Sequence, residues 1–274
     1  MSGVGFYING PGSYATVDLA DGLDIVADAG FASIDVSASK GERVLNSSDY
    51  SRDERAWLRS AASDRSLAIE AVVTHLGLAD TILSGRALDL PGAIDVAEDL
   101  GAHLVLVHVG RRIQDRDSEL WSGAVKLFRQ AADRAGPRGI TVCLDALSAE
   151  FLTASPESVN RFLVEVDRSN VGWNFDPAML ITSGFDVESA VSILGRWIRH
   201  AHIKDVRGRY PDHEWVIPGE GVLDHSAWAN VLRRIGYHGV VTAEVIATIG
   251  SESPKWPLEY AARTSHKAIA EEWQ

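Results

Sequence analysis

Four residues in the second half of the chain could together hold a metal ion. Asp145 follows the apolar run Ile140–Leu144, and Asp176 follows Val171–Phe175. His202 lies at the end of Ile198–Ile203, and Glu244 closes Val240–Glu244. Three carboxylates and an imidazole make a mixed oxygen and nitrogen donor set. Such a set suits Mn²⁺, Mg²⁺, Co²⁺ or Zn²⁺. A single strand-end carboxylate is more often paired with an arginine or a loop amide. Three on one rim would repel each other and be costly to bury, and a cation relieves both penalties.

Other residues carry two readings each. His75 and His108 also follow apolar runs; either could touch substrate or move a proton, or simply bond a neighbouring loop. Strand alternation puts Lys204 on the same side as His202. It could serve a substrate oxyanion or pair with a rim acid. Arg207 and Arg209 fall in the stretch Asp205–Pro218, read here as a long loop. They, like Arg111 and Arg112, could hold a phosphate or carboxylate through two hydrogen bonds, although loop arginines are usually solvated. Without a glycine-rich phosphate cradle, a phosphorylated substrate is not expected. Trp173, Trp215 and Trp256 are the aromatics expected to face a pocket. Trp215 could stack on a sugar ring or an aryl group, or cover an oligomer interface. Phe6 and Tyr7 alternate, so one of them faces inward, and Cys143 is expected to be buried.

These residues need elements that bring them to one rim. Short apolar runs alternate along the chain with amphipathic stretches. The strand expectations are Gly3–Ile8, Ser33–Ser37, Ala68–Val73, His103–His108, Ile140–Leu144, Val171–Phe175, Ile198–Ile203 and Val240–Glu244. The helix expectations are Ala15–Ala29, Ser51–Ser63, Gly85–Leu100, Ser118–Ala135, Pro156–Val166, Asp186–Leu194, His225–Ile235 and Pro257–Glu272. Eight such units over 274 residues predict an α/β fold, a single (β/α)8 TIM barrel spanning 1–274. An open doubly wound sheet is the alternative. It lacks its phosphate turn, because Asn9-Gly10-Pro11-Gly12 has no third glycine. In a barrel, strand C-termini share one face, so the residues above converge.

Composition narrows the partners. The formal charge is −12, the pI about 5.2, and 46% of residues are hydrophobic. That excludes a disordered chain and disfavours nucleic acid or an anionic membrane as a partner. A small molecule is expected instead. One cysteine allows no intrachain disulfide. The chain has neither an 18-residue apolar run nor a basic start followed by an apolar stretch. A cytoplasmic protein is expected.

His202-Ile203-Lys204-Asp205, then Gly219-Glu220-Gly221, then Gly236-Tyr237-His238-Gly239 and Glu244 carry a resemblance. So does Asn170-Val171-Gly172-Trp173-Asn174-Phe175-Asp176-Pro177. Together they resemble the sugar phosphate isomerase/epimerase family of xylose isomerase-like barrels, most clearly from Gly139 to Glu244. The resemblance implies one divalent ion on Asp145, Asp176, His202 and Glu244, with Mn²⁺ the first candidate and Mg²⁺, Co²⁺ or Zn²⁺ the others. It implies that Glu244 and Asp145 flank a sugar or cyclic polyol ketone. One removes a proton beside the carbonyl and the other returns it on the opposite face, through a metal-stabilised enediolate. A lyase of the inosose or dehydroshikimate dehydratase type, or elimination from a sugar derivative, is the alternative on the same site. A degenerate ligand-binding barrel is a third reading. Relatives of this kind are often dimers or tetramers. Two departures stand out. Asp145 replaces the usual glutamate, which pulls the carboxylate back by about 1.5 Å and makes His108 a candidate proton shuttle. Met179 replaces a usual histidine, and a thioether cannot ligate a hard cation or donate a hydrogen bond to a sugar hydroxyl.

Overall fold

Val, Ile, Leu and Ala dominate the predicted strands on both faces, the composition of a parallel sheet covered on both sides. A computed structural model describes residues 3–10, 13–38, 50–75, 77–84, 89–145, 147–209, 211–247 and 253–273. The barrel strands are β1 (Val4–Ile8), β2 (Ser33–Ser37), β3 (Ala68–Val73), β4 (Leu104–His108) and β5 (Thr141–Asp145). They continue with β6 (Val171–Phe175) and β7 (Ile198–Ile203). After them come β8 (Asp205–Arg209) and β9 (Asp212–Val216), outside the barrel, and β10 (Val241–Ala243), its last strand. The barrel is closed and parallel, in the order β1-β10-β7-β6-β5-β4-β3-β2.

Its helices are α1 (Leu19–Asp28), α2 (Arg52–Asp64), α3 (Leu78–Ser84), α4 (Leu90–Leu100) and α5 (Asp117–Ala135). The others are α6 (Pro156–Val166), α7 (Pro177–Thr182), α8 (Val187–Leu194), α9 (His225–Arg234) and α10 (Leu258–Trp273). Local chemistry sets their starts. Ser51 and Glu54 form a reciprocal capping box on α2, and Ser155 caps α6 ahead of Pro156. Helix α1 begins at Leu19, later than expected, because Asp18 supplies its cap. The Gly85 start expected for the fourth-strand approach lies outside the described residues, and α4 begins behind the Asp89 cap. Helices α3 and α7 were not expected.

The expected loop Asp205–Pro218 is instead an antiparallel hairpin, β8 against β9, in which Val206 lies opposite Trp215. One buried carboxylate anchors it. Asp205 accepts the backbone N–H groups of Val206 (2.8 Å), Gly219 (3.0 Å), Gly221 (2.9 Å) and Leu223 (3.1 Å). Burial would raise its pKa, but His225 and these amides hold it below the usual carboxylate range. The Gly219-Glu220-Gly221 spacing follows directly. Gly219 has φ +98°, and a Cβ on Gly221 would lie 2.0 Å from Asp205 Oδ1. Asp205→Ala strands these amides and is expected to cost about 3 kcal/mol. Urea unfolding should report the loss, with hydrogen exchange accelerated in the hairpin first. A change below about 0.5 kcal/mol, the range of ordinary surface substitutions, would contradict this anchoring role.

Candidate active site

Alternation along the strands decides which side chains enter the barrel. Phe6 packs outward in the core beside Phe31, and Tyr7 points inward with Ala71, Val73, Leu104, Leu106 and Cys143. Along β7 and the residue that follows it, the same alternation stacks His200, His202 and Lys204 in one inward row at rising height. Asp35 on β2 meets that row from across the barrel. Its Oδ2 accepts from His200 Nε2 at 2.6 Å and from His202 Nε2 at 2.8 Å. All three residues are at most 1% exposed. Each also offers one possible ligand atom, within 4.8 Å of the others. An ion there would have to replace both imidazole protons.

Because Asp35 engages Nε2, His202 turns Nδ1 toward the mouth. Nδ1 lies 2.6 Å from Glu244 Oε2. Both atoms are buried. Burial alone would depress the His202 imidazolium, but the carboxylates of Glu244 and Asp35 hold its pKa up to about 10. Glu244 goes the other way: burial would raise it, yet Lys204 and His202 bring it to about 2. Lys204 Nζ bridges Asp176 Oδ2 and Glu244 Oε2 at 2.7 Å each. Burial disfavours that ammonium, and Asp176 and Glu244 reverse the effect and raise its pKa. Asp176 also caps α7, its Oδ1 accepting the Met179 N–H at 3.1 Å. Burial leaves its pKa raised despite Lys204.

Asp145 sits on the opposite flank. Its Oδ1 accepts from Asn174 Nδ2 at 2.9 Å, and its Oδ2 lies 3.3 Å from His108 Nε2. Burial would raise Asp145, but His108, His202 and Lys204 keep it well below the usual range. Beneath the mouth, Tyr7 stacks on both His75 and His202, with ring centroids 6.0 and 5.9 Å apart. Its hydroxyl hydrogen-bonds His75 Nε2.

His75 carries a pH prediction. Burial, then the nearby His108, lowers its pKa to about 4. The unfolded chain takes up that proton near pH 6.5, while the folded chain refuses it until about pH 4. The contribution is therefore present above about pH 6.5 and lost as pH falls toward 4, by at most about 3 kcal/mol. Urea unfolding of His75→Gln should have a flatter pH dependence across that window. Parallel curves for the two proteins would contradict the assignment.

The structure thus brings Asp176, His202, Lys204 and Glu244 into direct contact, with Asp145 and His108 in electrostatic reach. Arg207 instead donates to the Glu220 carbonyl at 3.1 and 2.8 Å, and Arg209 is exposed on the hairpin. Arg111 and Arg112 pair with Glu150 and Asp117. Trp173 does not face the pocket: it is 1% exposed in the packed core, edge-on to Phe175. Trp256 lies partly buried against that core, with Lys255 Nζ 4.7 Å from its ring centre. Trp215 lines a cleft of about 350 Å³ with His213, Ile246, Ala247 and Lys255. That cleft adjoins the segment just after Glu244. Sequence reasoning missed Asp35, His200 and Asn174.

The donor set fits a divalent ion. His202 Nδ1 and Glu244 Oε2 are buried and 2.6 Å apart, and further carboxylates stand nearby. An imidazole oriented by a carboxylate on its other nitrogen is the usual support of a metal-bound histidine. An ammonium already rests against two of the oxygens.

Comparison with known proteins agrees with the fold. A family model described as a xylose isomerase-like TIM barrel matches residues 23–271. The chain is 25% identical over 189 residues to an inosose isomerase from Bacillus subtilis strain 168, covering 67% of each. It is 24% identical over 244 residues to an inosose dehydratase from Geobacillus thermodenitrificans strain NG80-2, covering 78% of this chain and 80% of that one. A crystal structure of the IOLI protein with a binding zinc atom superposes with a TM-score of 0.77 at 19% identity, covering 99% of this chain and 98% of that one. Among the described residues no helix is long and apolar enough to cross a membrane.

Proposed function

The chain belongs to the xylose isomerase-like TIM barrel family, and on that premise we propose that it is a divalent-metal-dependent isomerase or epimerase of a sugar or cyclic polyol ketone. The observation that carries this reading is the aim of His202. Asp35 fixes Nε2, so Nδ1 faces Glu244 among buried carboxylates. Asp145, Asp176, His202 and Glu244 would hold the ion, with Mn²⁺ the first candidate and Mg²⁺, Co²⁺ or Zn²⁺ the others. When bound, the ion would polarise the substrate carbonyl and offset the negative charge that develops as a proton leaves.

The remaining chemistry belongs to the chain. Glu244, ionised at neutral pH, is the base that takes a proton from the carbon beside the carbonyl. In the barrel ring β4 lies four places from β10, directly across the mouth. His108, at the end of β4 and 3.3 Å from Asp145, can therefore deliver a proton to the opposite face. The shorter Asp145 acts through this imidazole rather than by reaching the carbon itself. Trp215 remains a candidate for stacking on the substrate ring, from a cleft it lines with Ile246 and Ala247. Lys204, His75, Arg207 and Arg209 are the remaining candidates for substrate contact.

A dehydratase is the second reading. It is favoured by the match that covers 78% of this chain, to a protein named inosose dehydratase. In that case His108 would protonate a departing hydroxyl. A panel of ketoses and inososes, incubated with Mn²⁺-loaded protein in deuterated water, separates the readings by product mass. Isomerisation conserves mass apart from deuterium uptake, and dehydration removes one water. Turnover that is undiminished after exhaustive chelation would overturn both.

A further inference from the structure

The ammonium of Lys204 rests on two of the oxygens that a metal would need. Asp176 has one oxygen free of its helix cap, because Oδ1 accepts the Met179 N–H. Lys204 Nζ occupies the other, Oδ2, at 2.7 Å. Glu244 turns Oε2 toward His202 Nδ1, and Lys204 Nζ contacts that same Oε2 at 2.7 Å. Lys204 is 8% exposed, so the ammonium is a buried resident rather than a passing surface charge. We propose that Lys204 is a built-in competitor for the metal: its ammonium occupies the cation position between Asp176 and Glu244, and a divalent ion binds by displacing it.

This rests on the metal reading above and adds a consequence of its own. An ammonium and a divalent ion cannot share two carboxylate oxygens at bonding distance without strong repulsion in a poorly screened site. Without metal the carboxylate pair is therefore already partly neutralised, and loading is an exchange of one cation for another. Lys204 should weaken metal binding while stabilising the metal-free fold.

The test compares Mn²⁺ and Zn²⁺ binding to chelator-stripped wild type, Lys204→Met and Lys204→Gln by calorimetry, together with Tm before and after loading. The expected result is at least tenfold tighter binding in both variants, a lower metal-free Tm, and a larger Tm gain on loading. Equal or weaker affinity in the variants, with wild type still binding, overturns the competitor role and leaves the metal reading standing. No binding by any of the three proteins overturns the metal reading and the proposal with it. A second measurement covers variants that fail to fold. Amine-reactive labelling of wild type, mapped by peptide mass, should increase at Lys204 on Mn²⁺ addition. Labelling there that Mn²⁺ leaves unchanged counts against displacement.

Discussion

Glu244→Gln is expected to lower turnover by about a thousandfold, the middle of the range for loss of a positioned general base. The substitution keeps the side-chain length and one acceptor oxygen but removes the charge. In the native site that charge faces His202 Nδ1 at 2.6 Å and Lys204 Nζ at 2.7 Å. Two effects follow. The proton acceptor is gone, and so is one anionic donor to the ion. They separate experimentally. Metal content per chain, by elemental analysis, reports the second. Washout of deuterium from the substrate carbon, at saturating metal, reports the first. Washout and turnover should fall together. If washout survives while turnover falls, the base is elsewhere, with His108 and Asp145 the next candidates across the mouth. Tm should be followed in parallel, because a neutral residue here leaves Lys204 with Asp176 as its remaining close partner. Activity within tenfold of wild type would sink the assignment.

The legibility of this site in the sequence follows from depth in the barrel. Asp145, Asp176, His202 and Glu244 were recognisable because each sits where an apolar run stops, and strand ends are the rim of a parallel barrel. Asp35 is different. It lies in mid-strand within Ser33–Ser37, a run whose residues are all buried. Nothing in that run says which residues look into the barrel, so an inward aspartate reads like any other. His200 carried a usable signal, since His200, His202 and Lys204 recur at the strand period of two. The hairpin was hidden for another reason. Asp205 draws on amides up to 18 residues away, and such long-range anchoring leaves no periodic trace. Lys204 presented two readings, and the structure adopts the ion pair. The sequence could not reveal that one ammonium bridges two acids, because Asp176 and Glu244 come from different strands.

Asp35→Ala is expected to combine a loss of about 3–5 kcal/mol in stability with a fall in metal affinity of about 10–100-fold. Asp35 is fully buried, and two imidazole N–H groups end on its Oδ2 at 2.6 and 2.8 Å. Burial opposes its charge, but His200 and His202 hold its pKa far below the usual carboxylate range. Deleting it leaves both N–H groups unpaired in a dry interior. It also frees the His202 ring, whose Nδ1 is then no longer aimed at Glu244. Asp35→Asn is the milder test: it keeps the shape, can satisfy one imidazole N–H, and should cost about 1–3 kcal/mol. Asp35 is fully buried and acts through the His200 and His202 imidazoles, so it is a positioning residue. Its signature should be a fall in kcat and metal affinity with KM little changed, together with altered imidazole nitrogen shifts for His202 in NMR spectra. A purely packing role predicts loss of stability with metal affinity and kcat intact in the folded fraction. That pattern would mean that the His202 orientation does not depend on Asp35, and the argument for a metal at Nδ1 would lose its principal support.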